Sequence, residues 1–410
     1  MFQGKNIVLC VTGGIACYKA VSLASLLKKN GANVFVVMTK NATRFVTPLT
    51  FKTITKNKVT VKMFDEGDFV PHISLSELAD IVIVAPATAN IIAKASMGIA
   101  DDMVSTLLVS SKALKVIVPA MNTNMFLNPI VSENIERLLK FGYKIIQPEK
   151  GYLACGYSGI GRFPSIEKIL GFIIKNFNTT DSFFKGKSVL LTSGGSIEKI
   201  DPVRIVTNLS SGKMGFAFAK EFIKRGARVT VIAANVSDLE LKNFTDLFPD
   251  ENIIRVESAN DLKEEIDKKI EENDILFMAS AVADYSPVYS KNKIKKKDDK
   301  LILEMNKTVD ILKNLKKDKN KIYIGFAAES ENLIENAKEK LTKKGLDFIV
   351  ANDIVGEKGA IGSDKAEVFV LNKFNEEIKK VEFADKKEIA KKTLDILENF
   401  ALSFYTQTFR

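Results

Sequence analysis

The chain has little of the side-chain chemistry that enzymes use most often near neutral pH. Its 410 residues include one histidine, His72, three cysteines and no tryptophan. Cys10, Cys17 and Cys155 are too few and too scattered for a disulfide framework or a zinc cluster, and a reducing cytoplasm is the simplest interpretation. A step that needs an imidazole can use only His72.

Long apolar runs are also missing. No stretch approaches the ~18 apolar residues of a membrane-spanning helix, and the apolar segment near the start is interrupted by Thr12, Gly13 and Gly14. We therefore expect a soluble protein without a targeting sequence or a membrane partner. Hydrophobic residues make up 46% of the chain and charged residues 27%, which suffices for ordinary globular cores, and the length favours two domains.

The formal net charge of +10 favours anionic partners, which include nucleic acid, a membrane surface or phosphorylated metabolites. No recognised nucleic-acid-binding module is present, and the lysines are not interleaved with stacking aromatics. We expect no nucleic-acid partner. The alternative, a basic nucleic-acid-binding protein, predicts steeply salt-dependent binding to random-sequence DNA and no bound chromophore.

What the sequence does contain is a repeated opening. Residues 4–15 and 186–197 both run from Gly-Lys through an apolar strand and a hydroxyl residue to Gly-Gly. Each opening leads to a helical pattern and a second strand, within 31–37 and 226–232. The pattern predicts two tandem Rossmann-like α/β domains with mainly parallel sheets, the first flavodoxin-like. We expect the domains at 1–178 and 187–402, joined by a linker at 179–186.

Apolar strands alternate with helical patterns in both halves, and ligands of such sheets sit at the carboxyl ends of the strands. The strands are predicted near 6–11, 33–38, 80–85, 115–118, 143–146, 187–192, 228–233, 274–278, 322–325, 347–350 and 367–371. Helices are predicted near 15–29, 88–111 and 384–401, and residues 284–300 form a charged loop that would suit a flap.

The first Gly-Gly turn is a candidate anion site, because the helix that follows offers free N–H groups. A tight turn without a ligand is the alternative. The second strand ends in Met38, Thr39 and Lys40 rather than in the acidic residue that holds a ribose, so FMN fits better than NAD. Residues 85–90, Ala-Pro-Ala-Thr-Ala-Asn, end the third strand with small side chains suited to an isoalloxazine ring.

Five segments then carry a resemblance: residues 13–19, 72–73, 85–90, 119–125 and 153–156. In this order they resemble the flavin-dependent cysteine decarboxylases. The resemblance implies that FMN oxidises a cysteine-derived thiol to a thioaldehyde, that carbon dioxide leaves, and that the enethiolate is reduced and protonated. It implies the following FMN-binding residues: Gly13, Gly14, Thr39, Thr88, Asn90 and Ser105.

The same resemblance assigns catalytic roles to His72 as the base, Asn122 as the carboxylate-binding residue and Cys155 as the final proton donor. Imidazole and thiol suit proton transfer near neutral pH. Each residue has a structural alternative, as a solvated helix terminus, a turn cap or a small buried hydrophobe. Two positions depart from the family: Cys17 replaces a commoner alanine, and Phe163 stands where the substrate flap usually has methionine.

The second half lacks the Walker spacing, and its second strand ends at 233–235 in Ala-Ala-Asn without an acidic ribose ligand. Its motifs lie at 201–204, 208–215, 281–285, 293–296, 325–329, 340, 344 and 351–353. Together they resemble bacterial CTP-using phosphopantothenate-cysteine ligases. Ser196 replaces a commoner threonine and keeps the hydroxyl. Tandem fusion with the decarboxylase is the typical bacterial arrangement.

A ligase of this kind activates a carboxylate as an acyl-cytidylate with release of pyrophosphate, and the amine of cysteine then displaces CMP. The resemblance implies that Asn208 steadies the acyl-cytidylate, that Lys293 is needed to form it and that Arg204 is also catalytic. Mg²⁺ and lysines would balance the triphosphate charge, although no metal ligand can be assigned. The implied CTP-contacting residues are Met278, Ala279, Ser280, Asp284, Lys293, Thr308, Val309, Asp310, Ile311, Phe326, Lys340 and Lys344.

The lysines have ordinary alternatives: a solvated loop for the run at 291–300 and an exposed helix face for Lys340 and Lys344. The joint interpretation is a bifunctional coenzyme A biosynthesis enzyme that uses 4'-phosphopantothenate, L-cysteine and CTP. The resemblance implies trimers of the first half and dimers of the second, which combine into a dodecamer. A third hypothesis, a flavin carrier or regulatory subunit without turnover, is disfavoured because His72, Asn122 and Cys155 are all retained.

Overall fold

The computed structural model describes residues 2–64, 70–177, 182–295, 301–354, 363–374 and 377–405. The chain divides into two compact units, Met1–Phe177 and Asn178–Arg410. Among the described residues, no helix combines the length and the apolar character needed to cross a membrane.

The first unit is built around a six-stranded sheet with helices on both faces. Its elements are β1 (Asn6–Val11), α1 (Cys17–Lys29), β2 (Asn33–Met38), α2 (Pro48–Thr55), β3 (Val59–Thr60), α3 (Pro71–Leu78), β4 (Ile81–Ala87), α4 (Ala89–Met97), α5 (Met103–Ser110), β5 (Leu114–Pro119), α6 (Thr123–Phe126), α7 (Pro129–Lys140), β6 (Lys144–Ile145), β7 (Glu149–Tyr152), β8 (Ser158–Arg162) and α8 (Ile166–Phe177). Strands β1 and β4 are almost wholly buried, as expected for parallel strands covered on both faces.

The strand order of this sheet is β3-β2-β1-β4-β5-β6, and all neighbouring pairs are parallel. Without the two-residue edge strand β3 the order is flavodoxin-like, and with it the order is that of a Rossmann sheet. The order reverses between β1 and β4, so a crevice opens at the carboxyl ends of these two strands. The hairpin of β7 and β8 lies outside the sheet and follows it in the chain.

The second unit repeats this plan with a larger sheet. Its elements are β9 (Ser188–Gly194), β10 (Ile197–Lys199), β11 (Ile205–Thr207), α9 (Lys213–Lys224), β12 (Arg228–Ala234), α10 (Asp238–Thr245), β13 (Asn252–Val256), α11 (Ala259–Lys269), β14 (Ile275–Met278), β15 (Tyr285–Pro287), β16 (Met305–Lys307), α12 (Ile311–Asn314), β17 (Ile322–Glu329), α13 (Leu333–Lys343), β18 (Phe348–Asp353), β19 (Lys365–Asn372), β20 (Ile378–Asp385) and α14 (Lys386–Tyr405).

The sheet order here is β13-β12-β9-β14-β17-β18-β19-β20. The first six strands are parallel in Rossmann order, and β19 and β20 continue the sheet antiparallel. The order reverses between β9 and β14, which places the second crevice where those strands end.

A layer of phenylalanines joins α9 to the second sheet. Phe218 and Phe222 lie with their ring centroids 4.6 and 5.6 Å from that of Phe277 on β14. The helix can approach this closely because Gly215 has no side chain; a Cβ there would come within 2.4 Å of the Ser193 hydroxyl. On the same helix, the buried Arg225 guanidinium bonds to Asp395 and Glu398 at 2.6 and 2.8 Å and thereby ties α9 to α14.

The structure confirms the predicted fold class of two Rossmann-like units with mainly parallel sheets. The sequence patterns did not predict β3, β10, β11, β13, β15, β16, β20 or the β7–β8 hairpin, and the helical span predicted near 88–111 consists of two helices, α4 and α5. Of the proposed linker, residues 179–181 lie outside the described residues, and Phe184 is buried with its ring edge against Phe222 at 5.1 Å. Residues 296–300 of the predicted charged loop also lie outside them, whereas β15 at the start of that loop pairs with β16.

Candidate active sites

The first crevice holds a cavity of about 650 Å³, a volume within the range of cofactor sites. Gly13, Gly14 and Thr88 line its floor at the ends of β1 and β4. The Thr12 hydroxyl fixes these two strand ends, since it donates to Pro86 O at 2.7 Å and accepts from Thr88 N at 3.2 Å. The small residues leave room for a flat ring against the backbone.

An amide and a thiol lie together in the wall of this cavity, and a phenol holds the amide. Asn122 follows β5, and its Nδ2 lies 3.5 Å from Cys155 Sγ and 2.6 Å from the Tyr157 hydroxyl. Asn122 Oδ1 accepts from Asn124 N at 2.8 Å and so caps α6. Asn122 is therefore both a helix cap and a site residue. Hydrogen bonds at its Oδ1 and Nδ2 atoms hold its side-chain amide in one orientation.

The β7–β8 hairpin brings Cys155 to Asn122 by packing directly on the segment after β5. Gly161 has a φ of +128°, and a Cβ there would lie 2.2 Å from Met121 O. Met121 N donates to Gly161 O at 3.1 Å, and the Thr123 hydroxyl donates to Ile160 O at 2.8 Å. Any side chain at residue 161 would therefore push the hairpin and its thiol away.

Two cations that were not among the predicted site residues, Lys19 and Arg162, also line this cavity. Lys19 on α1 donates to Phe163 O at 3.4 Å, and Arg162 ends β8. Burial and the neighbouring Arg162 charge lower the pKa of the Lys19 ammonium, with Glu149 opposing them. The cavity therefore combines an apolar floor with positive charge at one side. Phe163, the departure from the family pattern, is 3% exposed and is part of the wall.

Three of the predicted FMN residues lie beside the cavity rather than in its lining. The Thr39 hydroxyl, at the end of β2, accepts from Ala42 N at 3.3 Å. Asn90 is exposed in the first turn of α4. Ser105 is buried in the capping box of α5, where it exchanges hydrogen bonds with Asp102. Their assignment to the flavin stays a prediction.

His72 is not brought together with Asn122 and Cys155 in the wall of this cavity. It lies in the first turn of α3, the helix that packs against α5. Its Nδ1 atom is buried and has no hydrogen-bond partner among the described residues. Cys17, the other departure, is buried on α1, and its thiol donates to Thr12 O at 2.9 Å.

The second crevice holds a cavity of about 580 Å³. Its lining comes from the loops after β11, β14 and β16, from strands β14 to β17 and from helices α12 and α13. Of the predicted CTP-contacting residues, all but Lys293 line it. These are Met278, Ala279, Ser280, Asp284, Thr308, Val309, Asp310, Ile311, Phe326, Lys340 and Lys344, and Asn208 lines it with them.

Hydrogen bonds to the loop after β14 fix the position of Asn208. Its Nδ2 donates to Ala281 O at 3.3 Å and to Val282 O at 3.0 Å. The buried Ser196 hydroxyl accepts from Ala283 N at 2.9 Å, so the serine that replaces threonine keeps this contact. The Thr308 hydroxyl donates to Ala283 O at 2.5 Å, so both backbone polar groups of Ala283 are hydrogen-bonded to side chains.

Three lysines, Lys307, Lys340 and Lys344, line this cavity, and two of them each pair with a carboxylate. Lys340 Nζ lies 2.5 Å from Glu329 Oε1, and Lys344 Nζ lies 3.4 Å from Asp310 Oδ1. Within the described residues, no group of three or more histidine, cysteine or acidic side chains could hold a metal ion by itself.

Lys293 and Arg204 lie outside the cavity lining. They are linked through Ile294, the residue that follows Lys293. Ile294 N donates to Asp201 Oδ2 at 3.1 Å, and Arg204 Nη2 donates to Ile294 O at 3.2 Å. Burial opposes ionisation of Asp201, but three backbone N–H donors and the Arg204 guanidinium hold the pKa of its carboxyl below the usual value. Asp201 and Arg204 thus anchor the residue next to Lys293, whose own side chain is exposed.

A further cavity of about 500 Å³ adjoins the second one and shares Asn208, Ala279, Ala281, Phe326 and Ala328 with it. The N-terminus of α9 opens into it, together with Lys213 and Lys386. Burial and the Lys213 charge lower the pKa of Lys386. Asn352, 6% exposed, also lines this cavity, and its buried Oδ1 atom has no hydrogen-bond partner among the residues that the structure describes. The sequence motifs at 208–215 and 351–353 indicated residues of this cavity, but no motif included Lys386.

Comparison with known proteins assigns both units. The Flavoprotein family matches residues 1–178, and the family of DNA/pantothenate metabolism flavoprotein C-terminal domains matches residues 184–400. The coenzyme A biosynthesis bifunctional protein CoaBC of Bacillus subtilis is 44% identical over 369 residues, 89% of each chain. The protein of that name from Borreliella burgdorferi is 41% identical over 403 residues, 97% of this chain and all of its own.

Two solved structures cover one unit each. The C-terminal domain of a CoaBC protein is 34% identical with a TM-score of 0.43, over 53% of this chain and 97% of that one. A PPC decarboxylase mutant complexed with pantothenoylaminoethenethiol is 27% identical with a TM-score of 0.37, over 40% of this chain and 93% of that one.

The fold and the cavities define a two-unit α/β enzyme with a flavoprotein domain followed by a DNA/pantothenate metabolism domain. The identities to curated relatives extend along most of both units. The chain belongs to the CoaBC family of bifunctional coenzyme A biosynthesis proteins, which combine a decarboxylase half and a ligase half. The family resemblance inferred from the sequence motifs is thereby confirmed.

Proposed function

We propose that this chain joins 4'-phosphopantothenate to L-cysteine with CTP in its second unit and decarboxylates the product to 4'-phosphopantetheine with FMN in its first. Family membership supports the two activities. The observation that carries the finer assignment is that residues scattered from Asn208 to Lys344 in the sequence line one cavity at the switch point of the second sheet.

In the first unit, Gly13, Gly14 and Thr88 would hold the flavin against the ends of β1 and β4. When bound, FMN supplies the oxidation of the substrate thiol and the later return of electrons. The chain itself supplies the Asn122 amide, which can bind the substrate carboxylate without a cation that would oppose its loss. Cys155 Sγ, 3.5 Å from that amide, can deliver a proton to the product carbon.

In the second unit, Lys340 and Lys344 would face the triphosphate, with Mg²⁺ balancing the remaining charge. The adjoining cavity fits 4'-phosphopantothenate. Lys213, Lys386 and the N-terminus of α9 can bind its phosphate, and Leu209, Met214 and Ile354 offer apolar surface to its dimethyl group. Asn208 lines both cavities and can therefore hold the acyl group where the two ligands meet.

The decisive experiment is the visible absorption spectrum of the purified protein, followed by pyrophosphate release with CTP, Mg²⁺ and 4'-phosphopantothenate. We expect a flavin spectrum, pyrophosphate release, and carbon dioxide only after cysteine is added. ATP in place of CTP, and EDTA in place of Mg²⁺, should each suppress pyrophosphate release. A colourless protein that takes up no FMN would contradict the first assignment.

We further propose that His72 serves the cavity of a neighbouring copy in a trimer, because it lies on α3 apart from Asn122 and Cys155. Trimers of the first unit and dimers of the second would then build a dodecamer. Mixed oligomers test this: His72→Asn and Cys155→Ser proteins, each inactive in decarboxylation, should regain activity when refolded together. No recovery from such mixtures, at a mass confirming co-assembly, would contradict it.

A further inference from the structure

We propose that Glu329 is a positioning residue for the nucleotide, which acts by holding the ammonium group of Lys340 at the wall of the second cavity. The inference rests on the proposed function, since it requires that the nucleotide phosphates occupy this cavity. Glu329 ends β17, and Lys340 belongs to α13.

The carboxylate is fixed at both oxygens. Oε1 accepts from Lys340 Nζ at 2.5 Å, and Oε2 accepts from Asn336 Nδ2 at 3.1 Å. The Asn336 amide also donates to Glu331 O at 2.9 Å, so Asn336 connects the carboxylate to the turn before α13. The Glu329 side chain is 13% exposed, whereas that of Lys340 is 42% exposed.

The carboxylate lies behind the lysine with respect to the ligand. Lys340 lines the cavity, but Glu329 does not; its neighbours Phe326 and Ala328 on the same strand do. An ammonium group has three donors, and Glu329 uses one of them. The other two remain available to phosphate oxygens, so the ion pair and the ligand contact can exist together.

Lys344, another lysine that lines this cavity, provides the contrast. Its partner Asp310 lines the cavity itself and caps α12 by accepting from Lys313 N at 3.2 Å. A phosphate that approached Lys344 would meet the Asp310 carboxylate at the same surface. Glu329 faces no such conflict, because the Lys340 ammonium stands between it and the cavity.

A lysine side chain is a flexible four-carbon stem that loses much rotamer freedom when it is held in one place. In a free lysine that loss would fall on the binding step. Because Glu329 and Asn336 already restrain Lys340, less ordering remains when the nucleotide arrives. Removal of the carboxylate should therefore weaken nucleotide binding and leave the later chemistry almost unchanged.

The test uses the full-length protein and pyrophosphate release at saturating 4'-phosphopantothenate. Glu329→Ala should raise KM for CTP about tenfold with kcat within twofold, and Lys340→Ala should raise KM at least as much. In the double variant, the loss of Glu329 should add nothing to the loss of Lys340. Glu329→Gln, which keeps an acceptor, should recover part of the affinity. Glu339→Ala is the matched control, because Glu339 pairs with the exposed Lys343 on the same helix.

Two outcomes distinguish a failure of this inference about Glu329 from a failure of the proposed nucleotide site. If Lys340→Ala raises KM for CTP but Glu329→Ala does not, or if their effects add in the double variant, Glu329 does not act through Lys340. If Lys340→Ala leaves KM for CTP unchanged, the nucleotide is not bound where we place it. Should Glu329→Ala fail to fold, Glu329→Gln and Asn336→Leu decide, since each must raise KM without lowering kcat.

Discussion

The cavities of the two units lie at equivalent points of similar sheets, but the side chains that line them differ in chemical type. In the first, between β1 and β4, glycines and other small residues form the floor, and an amide and a thiol lie in the wall. In the second, between β9 and β14, lysines and carboxylates line the space. The strand order thus sets where a ligand lies, and the segments that follow the strands set what it meets.

The largest effect should come from the thiol of the first cavity. We expect Cys155→Ser to slow decarboxylation about a thousandfold, within the range for loss of a proton-transfer group. Ligation in the same protein should continue at the wild-type rate, and the flavin spectrum should persist. Carbon dioxide and pyrophosphate release measured in parallel check this. Loss of both activities in this variant would contradict the comparison, because it would show that the two cavities do not act independently.

The next effect belongs to the second unit. Asp201→Asn removes the charged acceptor of Ile294 N and the partner of Arg204, and hydrogen bonds to charged groups contribute about 1.5–3 kcal/mol each. We expect ligation to fall roughly ten- to a hundredfold because Lys293 loses its anchored neighbour, with decarboxylation unchanged.

Asp274→Asn is the matched control for that variant. The Asp274 carboxylate also accepts from a backbone N–H, that of Ser188 at 2.7 Å, and from the Ser188 hydroxyl at 2.8 Å, but it lies at the amino end of the sheet. At a temperature where circular dichroism shows both variants folded, Asp274→Asn should keep its ligase activity. Equal losses in the two variants would mean that Asp201 matters for stability alone.

A smaller effect should follow from Tyr157→Phe. The Asn122 amide loses one partner at 2.6 Å, and one neutral hydrogen bond is worth about 1 kcal/mol, or roughly fivefold in rate. The loss should appear in decarboxylation only, with ligation as the internal control. An unchanged decarboxylation rate would show that the α6 cap suffices to orient the amide.

The smallest effect concerns acid stability of the second unit. Because the folded-state pKa of Asp201 lies below its unfolded value of about 3.9, its contribution to stability is complete above that value and is lost as the pH falls through the folded pKa. Urea midpoints between about pH 5 and 3 should therefore fall less steeply in Asp201→Asn than in the wild type. Parallel slopes would contradict the lowered pKa.

Much of the fold followed from local patterns. Buried parallel strands are continuously apolar, and the two Gly-Gly openings mark the start of each unit. The missed strands lack this signal. Most residues of β20 are exposed, and the β7–β8 hairpin carries glycines where an alternating apolar face would be expected. Their formation depends on edge pairing and on packing against residues 121–123, which no local pattern encodes.

The sites divide in the same way. Backbone-near residues such as Gly13 and Thr88 could be inferred from their place after a strand. The approach of Cys155 to Asn122 could not, because it depends on how the hairpin packs. Tyr157 carries no sequence signal, since a tyrosine is commonplace until its neighbours are known. Glu329 and Asn352 lie in the motifs at 325–329 and 351–353, but the motifs do not show which groups their side chains contact.

The wall common to the two adjoining cavities of the second unit has a kinetic consequence. Under the function proposed above, the mixed anhydride would be bound at both ends, with its nucleotide in one cavity and its pantothenoyl arm in the other. Release of either end alone leaves the other tethered, so the released end returns at the high local concentration of an intramolecular contact. The activated acyl group would therefore wait for its amine instead of escaping into water.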